Sequence, residues 1–244
     1  MYNTNRTNLA FAGNTGVALA NGDYIHFLDD DDVALPGAYL ALANVAALTD
    51  AAWIYGAYEA VDDDDKLLFR ASPTVSGDMF ALIVGGEGVP LGASLIKRSV
   101  FLEVGGLDHT MIPAEDRDLL MRISRRHLAV TTDHFIFCAR VGATTNSTNK
   151  WAAAPEVGRR KREKIFCDPT GLRDILRSLA AQSDGRIYRR LARFYIGSAV
   201  RFAQHSPITS ISRLITAVRI ASLGAFRRGF WQFSNSSGNK SYGV

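Results

Sequence analysis

Tyr24-Ile25-His26-Phe27-Leu28-Asp29-Asp30-Asp31-Asp32 sets a short apolar run directly against four consecutive carboxylates. The apolar part reads as a buried strand, so the aspartates lie at its C-terminal end. Adjacent carboxylates repel one another, and a fold keeps them together where something neutralises them. In open α/β sheets ligands bind beyond the carboxyl ends of the strands. A hard divalent cation, Mg²⁺ or Mn²⁺, prefers oxygen ligands of this type. Across a tight turn, alternate residues Asp29 and Asp31 address one cation while Asp30 points elsewhere. Such a cation also holds a diphosphate and stabilises it as it leaves. Read alone, the run is equally an acidic, solvated turn that caps the helix behind Pro36. An EF-hand is excluded, because the run lacks that loop's Gly and its closing Glu.

Outward from this stretch, Gly16 to Asn21 reads as a helix end closed by Asn21-Gly22. Pro36 suits a first helical turn, and Tyr39 to Leu48 has amphipathic spacing. Trp53 to Val61 reads as a strand and Lys66 to Arg70 as its return, joined by a polar turn at Asp62 to Asp65. Ala93 to Ile96 is a further strand, followed by a short helix to Val104 and a Gly105-Gly106 stop. A helix begins near Pro113 or Ala114, presents Leu119, Leu120 and Ile123 to a core, and ends in Arg125-Arg126-His127. Strands alternating with helices predict a mostly parallel sheet covered by helices.

The 244 residues, 47% apolar, suffice for one α/β domain with a helical appendage. Residues 1–149 carry 10 Lys+Arg against 19 Asp+Glu, a net of −9, and residues 150–244 carry 18 against 5, a net of +13. The split predicts a domain over 1–150 and a basic helical extension over 151–244, with helices from about Gly171 to Phe230 and a disordered polar tail from Ser234. In that extension Arg186, Arg189, Arg190, Arg193 and Arg201 accompany Leu191, Phe194, Tyr195 and Val200 at helical spacings. Such helices either lie on an anionic membrane surface or pack their apolar stripe inward with the arginines in water. Nucleic acid is not expected as a partner, since no nucleic-acid-binding fold or aromatic platform accompanies the charge. Cys138 and Cys167 have no metal or disulfide spacing. Met1 to Arg6 is polar without a signal-peptide core, and Leu214 to Phe226 is short and contains Arg219. The expected location is the cytoplasm, free or peripheral on the inner face of the membrane.

Asn14-Thr15-Gly16, then Ala20-Asn21-Gly22-Asp23-Tyr24-Ile25 leading into Asp29-Asp30-Asp31, resembles the stretch around the D-x-D motif of family 2 glycosyltransferases. Gly105-Gly106-Leu107-Asp108, followed by Glu115-Asp116 at a helix start, resembles that family's second motif. Alone, the Glu-Asp pair is ordinary complementation of a helix dipole; its order and spacing after the aspartate run make it specific. The resemblance spans about Asn8 to Arg140 and implies a GT-A, Rossmann-like α/β fold that lacks its first βα units, about 60–90 residues by the size of such units. It implies that Asn14, Asp29, Asp30 and Asp31 bind a nucleotide-sugar donor, with Asp29 and Asp31 holding the metal and Asp31 touching it directly. It implies that Asp116 is the catalytic base, with Glu115 on the acceptor side. The implied reaction is metal-dependent, inverting sugar transfer to a saccharide or lipid-linked acceptor, in cell-surface polysaccharide biosynthesis. The alternative is a truncated, non-catalytic relative acting as a binding module. Two departures stand out: Gly13 replaces an Arg before the Asn, and Gly142 replaces the His of an Arg-x-His that begins here at Arg140. The metal shell must then be completed by water or another group. His127 and His134 read as surface or packing residues.

Overall fold

The apolar runs of the first 140 residues assemble one six-stranded sheet in a structure that is a computed structural model and describes residues 9–73, 75–112, 114–141 and 154–232. Expectations placed on Met1 to Arg6, Pro113, Gly142 and the tail from Ser234 lie outside these residues. Helix α1 (Leu9–Leu19) precedes β1 (Tyr24–His26), β2 (Val33–Ala34), α2 (Ala38–Thr49), β3 (Trp53–Val61) and β4 (Leu67–Ala71). After α3 (Phe80–Val84) come β5 (Ser94–Lys97), α4 (Arg98–Glu103), α5 (Glu115–Ser124) and β6 (Ala129–Arg140). Helices α6 (Ala154–Cys167), α7 (Gly171–Ala180), α8 (Gly185–Phe202) and α9 (Pro207–Gly224) follow.

The sheet runs β1-β5-β3-β6-β2. Strand β3 is its spine: β6 covers one edge along the whole strand, while β5 and β4 divide the other at Trp53–Tyr55 and Tyr58–Val61. The expected mostly parallel pairing is corrected here. Among the described pairs only β3–β6 is parallel; β1–β5, β2–β6, β3–β4 and β3–β5 are antiparallel. The helices do alternate with strands, but α2 joins β2 to β3 and α4–α5 join β5 to β6, and neither pair are sheet neighbours.

The two motif-bearing ends are fixed by packing on this spine. Trp53, Ile54 and Ile136 are fully buried, and α2 lays Ala38 and Leu42 against Ile54 and Ile136. Each such aliphatic side chain contributes roughly 1.5–3 kcal/mol by leaving water. The indole N–H of Trp53 donates to Ser94 Oγ at 3.1 Å. At Gly56 a Cβ would meet Ile136 Cγ1 at 2.3 Å, so only glycine lets β6 approach β3 where their register shifts.

The chain forms two compact units, Met1–Met79 with Val89–Lys161, and Phe80–Gly88 with Arg162–Val244. In the second unit, α8 and α9 form an antiparallel hairpin: Ser210 Oγ donates to the Ala199 carbonyl at 2.9 Å, and a Cβ on Gly224 would strike Tyr188. Leu191 and Tyr195 of α8 are fully buried. The arginines read as facing either a membrane surface or water are largely engaged within the unit. Arg186 pairs with Asp184, Arg190 with Glu87, and Arg201 with Glu163, while Arg189 donates to the carbonyls of Phe230 and Gln232.

Candidate active site

The four aspartates occupy the short link between β1 and β2, where the chain reverses in a turn closed by the Asp32 N–H donating to the Asp29 carbonyl at 3.2 Å. A four-residue turn brings its first and last residues together. Asp29, Asp31 and Asp32 accordingly converge, with one carboxylate oxygen from each lying within 4.8 Å of the other two. The expected pair Asp29 and Asp31 is present. Asp32 is the third member, which the alternating reading missed, and Asp30 is outside the cluster. Asp32 is also anchored, because its Oδ1 accepts the Arg140 backbone N–H at 3.0 Å and the next two residues pair with the end of β6. The Arg140 guanidinium points away, to the carbonyls of Asp62 and Asp63 and the carboxylate of Asp65.

The cluster is electrostatically loaded. The protein packed around Asp29 pushes its carboxyl above the usual range, and the charges of Asp31, Asp30 and Asp116 add to the shift. Asp32 is raised to about 6, first by burial and then by Asp29 and Asp31, against the opposing hydrogen bond from Arg140. Three convergent carboxylates are a donor set suited to a hard divalent cation, which would relieve their repulsion. Among the described residues no other group of three acidic, histidine or cysteine side chains is placed this way.

Asp116 comes to the same neighbourhood by a different route, and its charge is one of those felt at Asp29. Gly105 and Gly106 hold φ of 88° and 68°, left-handed geometry that ends α4 and turns the chain. Arg122, one helical turn beyond Asp118, pairs with it at 2.5 Å and donates to the Val104 and Gly106 carbonyls at 2.5 and 2.6 Å. Lys161 forms a buried ion pair with the same Asp118. This network fixes the start of α5, where Asp116 sits half-buried with its Oδ1 accepting the Arg117 N–H at 2.5 Å. Burial raises the Asp116 carboxyl, opposed by that N–H and by the charges of Arg117 and Lys161.

Asn14 and Glu115, expected on the donor and acceptor sides, are both held within the protein. Asn14 donates from Nδ2 to the Leu107 carbonyl at 2.8 Å and accepts the Leu107 N–H at Oδ1 at 2.9 Å. Its amide therefore joins α1 to the second motif's turn. Glu115 is buried, 8% exposed, in the first turn of α5, and an acceptor would have to uncover it. The replacement at Gly13 has a packing reason: a Cβ there would meet Leu107 Cδ1 at 2.7 Å and Phe27 at 3.2 Å. His134 Nε2 bonds the Pro36 carbonyl at 3.0 Å and His127 pairs with Glu103 at 3.1 Å, so both are structural.

A family model described as glycosyltransferase like family 2 matches residues 2–199. No curated protein sequence matches the chain. Among solved structures, S. aureus TarS residues 1–349 in complex with UDP-GlcNAc aligns at a TM-score of 0.53 and 12% identity, over 86% of this chain and 71% of that one. The same TarS fragment without a stated ligand aligns at 0.50 and 12%, over 91% and 73%. At this identity the likeness establishes the GT-A fold.

Proposed function

The chain belongs to glycosyltransferase like family 2, and from that premise we propose that it transfers a sugar, with inversion, from a nucleoside-diphosphate donor to a hydroxyl of a saccharide or lipid-linked acceptor. The observation that carries this reading is the convergence of Asp29, Asp31 and Asp32 on one point, beside which the charge of Asp116, from a motif far along the chain, acts on Asp29. TarS, which shares the fold, is seen with UDP-GlcNAc, and a donor of that class is extended here to this chain.

Asp29, Asp31 and Asp32 would hold a Mg²⁺ or Mn²⁺ ion, whose charge would offset the donor diphosphate and the developing charge on the leaving group. Asp116 accepts the proton of the acceptor hydroxyl as that oxygen attacks the anomeric carbon and the bond to the diphosphate breaks. Its raised proton affinity suits a general base, and its hydrogen bond to the Arg117 N–H fixes its direction. Asn14 and Arg122 act as positioning residues: they hold the Gly105-Gly106-Leu107 turn against α1 and α5, and so keep base and carboxylate cluster in register.

The test is a transfer and hydrolysis screen over nucleoside-diphosphate sugars with Mn²⁺ or Mg²⁺. Turnover of at least one donor, lost on chelation, is the expected result. Donor binding without turnover on any acceptor would favour the alternative of a non-catalytic binding module.

A further inference from the structure

Helix α9 is built inside out. Its inward face, packed on α8, carries Ser210, Arg213, Thr216, Ala217 and Gly224 beside a single large aliphatic, Ile220. Its outward face carries Ile208, Ile211, Leu214, Ile215 and Val218, which recur at helical spacing and are 84%, 58%, 45%, 65% and 66% exposed. In water a surface helix turns its apolar stripe inward. The inversion is held by bonds on the inward side: Arg213 donates from Nη1 to the Phe166 carbonyl and lies over the Phe166 ring, and Ser210 Oγ donates to the Ala199 carbonyl. Past the helix end, Phe226 is 99% exposed and Trp231 66% exposed.

We propose that this face is a docking surface for an anionic lipid bilayer, with α9 lying in the plane of the headgroups. The chain's own charge selects that occupant. From Gly185 to Val244 there is no Asp or Glu, and Arg219, Arg227 and Arg228 are exposed on or just beyond α9. A second copy seated on the same face would offer those arginines a surface equally without Asp or Glu over Gly185 to Val244, and so no opposite charge to pair with. Anionic headgroups instead complement them while the isoleucines enter the acyl boundary, and exposed aromatics at one end suit the interface. No described helix is long and apolar enough to cross a membrane, and α9 has its other face occupied by α8, so the helix lies on the surface rather than across it.

The experiment is co-sedimentation of the full chain with phosphatidylcholine vesicles, with and without phosphatidylglycerol, at low and high salt. Binding should require phosphatidylglycerol and weaken as salt rises. Ile215→Glu with Val218→Glu should reduce binding by at least about 10-fold, since it places charge at the acyl boundary, with circular dichroism unchanged because both side chains already face outward. Binding to neutral vesicles alone, no binding, or binding indifferent to the double substitution overturns the proposal. So does a dimer by light scattering that the same substitution dissociates, since the occupant is then a second copy. The readout is attachment and not sugar transfer, so it stands or fails independently of the catalytic reading.

Discussion

Both ends of the Asn14 amide are bonded to the backbone of Leu107, 93 positions further along the chain. The helix that leads to the aspartate run is thereby tied to the turn that leads to Asp116. Asn14→Ala removes both bonds and leaves a partly buried N–H and carbonyl without these partners, a loss of about 1–3 kcal/mol. For a chain of this size, thermal denaturation should show a fall in Tm of about 2–4 °C per kcal/mol. An unchanged Tm would show that the link is dispensable.

Asp32 and Asp30 are neighbours of the same charge with different placement. Asp32→Asn removes one of three convergent carboxylates and should weaken Mn²⁺ binding by about 10-fold or more, the scale of losing a charged ligand in such sites. Asp30→Asn, outside the cluster, should change it by less. Titration with Mn²⁺ followed by calorimetry separates the two, and equal effects would remove Asp32 from the site.

The pH dependence has a definite sign. Asp32 is raised from 3.8 to about 6 in the folded protein, and Asp29 moves the same way. A raised carboxyl stabilises the fold while protonated, so this contribution is complete below about pH 4 and disappears as pH climbs through about 6. Without divalent cation, the cluster should therefore lower Tm between those values. Because a cation competes with the proton, Mn²⁺ affinity should be about 10-fold weaker at about pH 5 than at about pH 7. Melting curves across this range, with and without Mn²⁺, check both parts; an affinity flat with pH would exclude ligation through these groups.

Asp116→Asn keeps the size of the side chain but removes the basic oxygen. Turnover should fall by about 10²-fold or more, the usual scale for a general base, with donor affinity little changed. Asp31→Ala should reverse the pattern and weaken cation-dependent donor binding. Parallel loss of donor affinity in both variants would remove the base role from Asp116.

Much of this is legible in the sequence. Strand β3 is bounded by Ala52 and Asp62 as its apolar run suggests, and the Gly105-Gly106 stop and the buried Leu119, Leu120 and Ile123 of α5 follow from turn chemistry and helical spacing. Strand β6 escaped notice because Thr131 to His134 interrupts its apolar pattern, at the stretch where its register against β3 shifts. Strand direction was beyond local pattern, because it depends on which strands become neighbours. Asp32 was passed over although a tight turn was expected, because the closure between the first and fourth aspartates, which brings Asp32 back beside Asp29, depends on how the chain enters β2. On α8, the helical spacing was right, but the partners of its arginines come from distant segments such as Glu87 and Glu163.

The nine residues Phe80–Gly88 belong to the helical unit although both neighbouring stretches of chain belong to the sheet. All five residues of α3 are buried, and Ala81 N–H is held by Ser178 Oγ at 2.8 Å. The helical unit is thus not a cassette added behind a finished domain, since part of it is encoded in the middle of the other. Cutting the gene after Lys161 would not release a minimal transferase; it would strand an apolar pentapeptide in water. Any shortening or fusion that respects this protein has to keep residues 80–88 and the C-terminal helices on the same polypeptide.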